Sequence, residues 1–202
     1  MQKKTNLLTE TLSWMLILLG PLVLVLFLTS RVFAVSTVNQ RSMLDTLVEG
    51  DVLFCSRVDY AAHPPVRGDI VLFYADNRIR GGLFWEFGMR LTDMADNWRG
   101  IAFRKNIRYV KRVIGLPGET VDIREGMVYI EGEPLQEPYV KGLTETRELA
   151  FPMTIPAGRF LLLGDNREES KDSRDFGCIR LEALEGKPVF RLMPFSKWGP
   201  VP

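Results

Sequence analysis

An uncharged apolar run near the start of the chain constrains its architecture more than any other feature. Residues 11–30 read TLSWMLILLGPLVLVLFLTS and contain no Asp, Glu, Lys or Arg. A helix of about 20 apolar residues can cross the ~30 Å hydrocarbon core of a bilayer. Gly20 and Pro21 interrupt the run in a way that membrane helices tolerate. The run therefore predicts a transmembrane anchor.

The charges that flank this run predict its orientation. Lys3 and Lys4 precede it and Arg31 follows it, which favours a cytoplasmic N-terminus. A cleaved secretory signal ending at RVFA is the alternative, and it also leaves the remainder outside the cytoplasm. The expected division is 1–10 for the cytoplasmic N-terminus, 11–34 for the anchor and 35–202 for an extracytoplasmic domain.

Composition excludes two classes of partner. The net charge is +1 with mixed signs along the chain, so no basic stripe is available for nucleic acid. One histidine and two distant cysteines form no zinc-binding set, and no cofactor is expected. Cys55 and Cys178 are either a disulfide of an exported domain or two buried free thiols.

Short apolar segments separated by Gly and Pro turns dominate the rest of the chain. They are rich in β-forming residues and too short for helices. The expected fold class is therefore mainly β, with antiparallel sheets in a barrel-like domain behind one transmembrane helix. The expected strands lie in residues 51–57, 69–75, 107–115, 120–135, 159–166 and 187–195.

Residues 76–106 break this rhythm and are expected to form an insertion with a short helix. Phe84, Phe87, Leu91 and Met94 recur at spacings of three or four, which is one stripe of a helix. A helix packed on the sheet and an amphipathic helix lying on the bilayer both need such a stripe. Both interpretations remain open.

Ser42, in the stretch NQRSMLDTLVEGDVLF that follows the anchor, is a candidate nucleophile that needs a base. His63 is the chain's one histidine, and its loop AHPPVRG reads as solvated. A Ser-Lys pair is a known alternative to the histidine triad. A lysine base must be neutral, so the candidate must be buried in apolar surroundings, which lower the pKa of a lysine.

Lys111 fits this requirement because it lies in the strand segment IRYVKRVIG. Strand alternation predicts that Lys111 shares the apolar face with Tyr109 and Val113, while Arg108 and Arg112 turn to solvent. The alternative is an edge lysine whose amine reaches water.

The polar loop LLLGDNREESKDSRDFG, residues 161–177, is a third candidate segment. On charge content alone it reads as a solvated loop. It also follows a buried-looking strand and combines serines with Asp172 and Arg174, which are suited to a carboxylate–guanidinium pair.

Four segments together resemble bacterial type I signal peptidase, the membrane-anchored Ser/Lys endopeptidase family. They are RSMLDTLVEGD, RGDIVLF, YVKRVIGLPGE and GDNREESKDSRDFG, in the family's order behind an N-terminal anchor. The resemblance implies a signal-peptidase-type β-rich domain at the outer membrane surface. It also implies cleavage of preproteins after small residues, at an Ala-x-Ala-like site, close to a Sec-type translocon.

The resemblance also implies roles for individual residues. Ser42 would attack the scissile carbonyl, and Lys111 would act as general base and then acid. Ser170 would orient the lysine, and Asp172 and Arg174 would form a supporting ion pair.

Three positions beside Ser42 depart from the family's usual pattern. Asp45 stands where a proline is usual, and it is expected to point to solvent. Arg41 replaces a common glycine, and Gln40 stands where a small residue or serine often completes the oxyanion hole. The alternatives to a general signal peptidase are a maturation protease with few clients and a protein that binds signal peptides without cutting them.

Overall fold

The computed structural model describes residues 7–74 and 108–202, together with Gly88. The expected insertion over residues 76–106 therefore lies outside the described residues, apart from Gly88. The expected helix in it belongs to the same range.

The N-terminal apolar run forms one helix, α1, from Leu7 to Arg31, with Pro21 inside it. Its stretch Thr9–Arg31 is long and apolar enough to cross a membrane, by length and composition. The helix ends at Arg31, and an extended segment begins at Phe33.

The described remainder is mainly β, as the sequence predicts. One antiparallel sheet contains β1 to β4 and β9 to β12, and a second contains β5 to β8. The strands are β1 Phe33–Thr37, β2 Val52–Ser56, β3 Ile70–Tyr74, β4 Arg108–Gly115, β5 Thr120–Arg124, β6 Met127–Ile130, β7 Glu133–Pro134, β8 Met153–Thr154, β9 Arg159–Leu163, β10 Ile179–Arg180, β11 Leu184–Met193 and β12 Gly199–Pro200. Short helices span α2 Asp59–Ala62 and α3 Ser173–Phe176, and 3-10 turns span Leu181–Ala183 and Phe195–Lys197.

The continuous apolar run of β9 is explained by burial on both of its faces. Leu161 and Leu163 belong to a core cluster with Ile114 and Val121. Leu162 belongs to a second cluster, which packs against β3 and α3. A strand that is buried on both sides needs no alternation of polar residues. The loop after β9 consequently starts from a rigid position.

The hairpin between β5 and β6 follows from its turn residues. Arg124 pairs with Met127, so Glu125 and Gly126 form a two-residue loop. Both have positive φ, 53° and 75°, as a type I′ turn requires. The strand segment expected over residues 120–135 is therefore divided by this turn.

Cys55 and Cys178 are both free and buried. They lie in separate core clusters, one with Met43 and Leu47 and the other with Leu161 and Leu163. Of the two arrangements left open by the sequence, the structure has the free thiols.

Candidate active site

Ser42 lies on the turn that follows β1, anchored by its apolar neighbours. Met43 and Leu47 are buried in the same core cluster, and the Leu47 N–H donates to the Met43 carbonyl at 2.7 Å. Ser42 itself is 4% exposed. The apolar residues of the turn therefore fix the serine at the boundary between core and surface.

Lys111 extends from β4 to the same place. Its Nζ lies 2.5 Å from Ser42 Oγ and donates to the Val110 carbonyl at 3.2 Å. The side chain is fully buried, and the Tyr109 ring centroid lies 5.3 Å from Nζ. Lys111 is therefore not an edge lysine that reaches water, and the sequence placed it correctly on the apolar face.

Burial lowers the pKa of Lys111 from an ordinary 10.5 to about 8. The carboxylates of Asp172 and Asp165 oppose this effect, because negative charge favours the ammonium form, whereas the guanidinium of Arg174 adds to it. Desolvation is the largest influence. A substantial fraction of Lys111 can therefore be neutral near pH 8.

Asp172 and Arg174 form a buried ion pair in the loop that follows β9. Arg174 Nε and Nη2 donate to Asp172 Oδ1 and Oδ2, each at 2.9 Å. Asp172 also accepts from the Gly164 N–H at 3.1 Å and caps α3. Burial raises the pKa of the Asp172 carboxyl, but the bonds and charge of Arg174 outweigh this effect and lower it overall.

Ser170 is buried next to this pair, at 2% exposure. Among the described residues, the hydrogen bonds of Lys111 Nζ go to Ser42 Oγ and the Val110 carbonyl, so the implied bond from Ser170 to Lys111 is not formed here. The Ser170 hydroxyl and the Ser42 carbonyl both lie on the side of Gly164 to which a Cβ would project. Ser170 is close to the site but is not joined to the lysine.

Gly164, the first residue of the loop after β9, packs closely against the serine turn. A Cβ at this position would lie 2.5 Å from the Ser42 carbonyl oxygen and closer still to Ser170 Oγ. Two residues on, the Asn166 N–H donates to that same Ser42 carbonyl at 3.0 Å, and its Nδ2 donates to the Arg41 carbonyl at 3.1 Å. Backbone contacts of this loop thus hold the serine turn directly.

The expectation that Arg108 and Arg112 turn to solvent is wrong, because Arg112 is buried and Arg108 is 19% exposed and paired with buried Glu185. Arg112 Nε and Nη2 donate to Asp165 Oδ1 and Oδ2 at 2.9 and 2.7 Å. Thr46 Oγ1 donates to Asp165 Oδ2 at 2.6 Å. The buried guanidinium is compensated by a carboxylate that strand alternation could not reveal. Sequence reasoning missed Asp165, Asn166 and Thr46 as site residues, and the GDN that follows the apolar β9 was the available signal.

The residues that depart from the family pattern lie on the surface. The Asp45 side chain is 83% exposed, with Lys141 Nζ at 3.9 Å, so it points to solvent as expected. Gln40 and Arg41 are exposed. His63 is exposed in the loop after α2, and the basic group at Ser42 Oγ is Lys111.

A groove of about 710 Å³ opens beside Ser42. Its walls are β1 with the following turn and the start of β4: Val35, Ser36, Thr37, Val38, Asn39, Gln40, Ser42, Met43, Arg108 and Val110. Within the described residues β1 pairs only with β2, and β9 meets β4 only from Arg112 onward. Both walls therefore offer backbone groups that an extended chain could pair with.

Comparisons with known proteins give consistent family matches. The family model described as signal peptidase, peptidase S26 matches residues 11–193. A probable signal peptidase I-1 of Synechocystis is 35% identical over 91% of this chain and 83% of its own. Signal peptidase IB of Staphylococcus aureus is 30% identical over 94% of this chain and 93% of its own.

A crystal structure of a signal peptidase I from Enterococcus faecalis is 29% identical, covering 62% of this chain and 97% of its own, with a TM-score of 0.40. The family assignment rests on the sequence matches, which extend over most of the chain. The chain belongs to the signal peptidase family, peptidase S26, and is a serine peptidase and thus a hydrolase.

Proposed function

We propose that Ser42 and Lys111 are the catalytic dyad of a signal peptidase that removes signal peptides from exported preproteins after small residues, at Ala-x-Ala-like sites. Membership of the family supports the removal of signal peptides. The observation that carries the dyad is the 2.5 Å separation of Lys111 Nζ and Ser42 Oγ in a buried setting. Proximity and a lowered lysine pKa are the two properties that such a base needs.

The chemistry follows from these two atoms. Neutral Lys111 takes the proton of Ser42 as Oγ attacks the scissile carbonyl carbon. The resulting ammonium gives that proton to the leaving amine, which releases the mature chain and leaves the signal peptide esterified to Ser42. Lys111, neutral again, activates a water molecule that hydrolyses the ester and regenerates Ser42.

The oxyanion formed in each step needs hydrogen-bond donors. The Ser42 backbone N–H is the first donor in this proposal, and the Gln40 side-chain amide is the second. Gln40 lines the groove next to Ser42, which supports this assignment. The Asp172–Arg174 pair and Ser170 support the loop that packs on the serine turn.

The preprotein binds extended in the groove between β1 and β4 in this proposal. A chain added to free strand edges gains main-chain hydrogen bonds and alternates its side chains between the groove and solvent. The small side chains before the cut would then lie against Val38, Met43 and Val110 beside the serine.

We place α1 across the bacterial cell membrane, with residues 1–10 in the cytoplasm, 11–34 as the anchor and 35–202 outside. The apolar helix and the lysines before it support this topology. The active site then meets substrates as they leave a Sec-type translocon. Protease added to intact spheroplasts should digest the domain, and digestion only after lysis would contradict the topology.

The test of function uses the purified full-length chain and a preprotein whose signal ends in Ala-x-Ala. Ser42→Ala and Lys111→Ala should each lose cleavage by at least about 10³-fold, because each member of such a unit is required. His63→Ala is the matched control and should remain active. Cleavage retained by Lys111→Ala would rule out the dyad. Cleavage of several unrelated preproteins separates a general signal peptidase from a protease with few clients.

A further inference from the structure

Among the described residues that line the groove, Arg108 is the one with a charged side chain. It is the first residue of β4 and lines the groove together with Val110, on the wall that faces the serine turn. Strand residues advance about 3.3 Å each, so Arg108 lies about 10 Å along β4 from Lys111. A substrate side chain opposite Arg108 is therefore about two to four residues from the cleaved bond, and it is not the −3 side chain, which the proposed function requires to be small.

The guanidinium of Arg108 is held in place from behind. Its Nε donates to Glu185 Oε2 at 2.6 Å, and the Glu185 side chain is fully buried. The guanidinium also lies 5.5 Å from the Tyr74 ring centroid. The Arg108 side chain is 19% exposed and the residue lines the groove, so its charge lies close to a bound substrate.

The Glu185 carboxylate neutralises the Arg108 guanidinium only in part, because within the described residues it pairs with Arg57 as well as with Arg108. Its Oε1 accepts from Arg57 Nη2 while Oε2 accepts from Arg108. A guanidinium has five N–H donors in a planar fork, so Arg108 can donate hydrogen bonds to a second carboxylate without releasing Glu185. The other groove-lining residues named above are uncharged, which leaves Arg108 to set the electrostatic preference of this wall.

Building on the proposed function, we propose that Arg108 selects preproteins by charge at one position, other than −3, about two to four residues from the cleaved bond. An ionised Asp or Glu at that position accepts hydrogen bonds from the Arg108 guanidinium, which strengthens substrate binding. A Lys or Arg there meets a like charge in a partly desolvated groove, which weakens it.

The test varies the substrate rather than the enzyme alone. Positions −6 to +4 of one preprotein, apart from −1 and −3, each carry Gln, Glu or Lys in turn. The ratio of kcat/KM for Glu over Lys is measured at each position with the full-length enzyme. We expect one position with a ratio of about tenfold, the effect of one partly solvated charge pair. Because each ratio is taken within a single enzyme, a change in the folded fraction cancels.

Variants of Arg108 then assign that ratio to its charge. Arg108→Gln should bring the ratio close to one, Arg108→Lys should keep most of it, and Arg108→Glu should invert it. Arg124→Gln removes a 53% exposed arginine on β5 and should leave the ratio unchanged. A ratio near one at every position, or a ratio that Arg108→Gln leaves intact, would overturn the inference. If the parent preprotein is not cleaved at all, the proposed function fails first and this inference with it.

Discussion

Lys111 Nζ lies 2.5 Å from Ser42 Oγ although the two residues are 69 positions apart in the chain. The contact joins the turn after β1 to the face of β4 that the core covers. Burial at that point lowers the pKa of Lys111 to about 8.

Activity should rise with pH through the titration of Lys111. Only the neutral amine accepts the serine proton, so kcat/KM should increase with an apparent pKa of about 8. The measurement is kcat/KM from pH 6 to pH 10 at constant ionic strength, with His63→Ala as the control. A midpoint near the ordinary 10.5 of lysine would contradict the burial argument.

Lys111→Met should make the protein more stable while removing its activity. Below pH 8 the folded protein holds a buried ammonium, and lowering its pKa from 10.5 to about 8 corresponds to roughly 3 kcal/mol of lost stability. Methionine fills similar space without charge. Denaturant unfolding at pH 6.5 should show a gain of up to about 3 kcal/mol.

The same argument fixes how this gain changes with pH. Between about 8 and 10.5 the unfolded lysine still binds a proton that the folded lysine has lost, so the stability of the parent protein rises with pH. The advantage of Lys111→Met should therefore shrink across that window. A gain that stays constant from pH 6.5 to pH 10.5 would mean that packing, not charge, is responsible.

Thr46→Val should slow the chemical step with little effect on substrate binding. The change removes the 2.6 Å hydrogen bond to Asp165 that fixes the serine turn. Misplacement of a reacting group by a fraction of an ångström lowers kcat, and a loss of roughly tenfold is expected. Steady-state kinetics should show kcat reduced, KM nearly unchanged and the apparent pKa retained, with Thr46→Ser restoring the rate. An unchanged kcat would exclude a positioning role for Thr46.

Asp172→Asn should destabilise the domain far more than a comparable surface change. It leaves the buried Arg174 guanidinium without its carboxylate, which costs about 3–5 kcal/mol. Asp122→Asn is the matched control, because Asp122 meets Arg124 at 3.4 Å on the surface and a surface pair contributes about 1 kcal/mol or less. Urea denaturation at pH 7 compares the two, and equal losses would contradict the assignment of Asp172.

Lowering the pH should reduce the difference in the free energy of unfolding between Asp172→Asn and the parent protein. The folded pKa of Asp172 lies below its ordinary value of 3.8, so its ion pair stabilises the fold above that pH. The contribution is lost as the pH falls through the folded pKa. Unfolding measured from pH 5 downward should show the parent protein losing stability that the variant does not have.

Asp45→Asn should leave both the rate and its pH dependence unchanged. The carboxylate is 83% exposed and meets Lys141 at 3.9 Å, so water screens it from the dyad. We expect a stability change within about 0.5 kcal/mol, as for most surface substitutions. A shift in the midpoint of the pH profile on this substitution would show that Asp45 influences Lys111 after all.

The sequence predicted the strands and the face of Lys111 because both depend on local alternation. β2, β3, β4 and β9 lie within the segments expected from β-forming residues between turns. The burial of Arg112 could not be predicted in this way. A buried arginine requires a carboxylate, and Asp165 is 53 positions away in the chain.

The contacts of Ser170 also could not be predicted from the sequence. A serine in a polar loop can be expected near the lysine by resemblance, but the rotamer of its hydroxyl depends on packing against Gly164. Side-chain orientation inside a close-packed loop depends on every neighbour at once. Thus the sequence predicted which loop residues lie near the site, and the folded structure shows which atoms they contact.

Gly164 gives the chain a spacer made of backbone alone. The Ser42 carbonyl and the Ser170 hydroxyl both occupy the space that a Cβ there would need, and that Cβ would lie 2.5 Å from the former. A substitution of Gly164 therefore cannot change the loop after β9 without also displacing the serine turn. The absence of a side chain at Gly164 thus sets how closely the serine turn and the Ser170 side chain approach the same backbone.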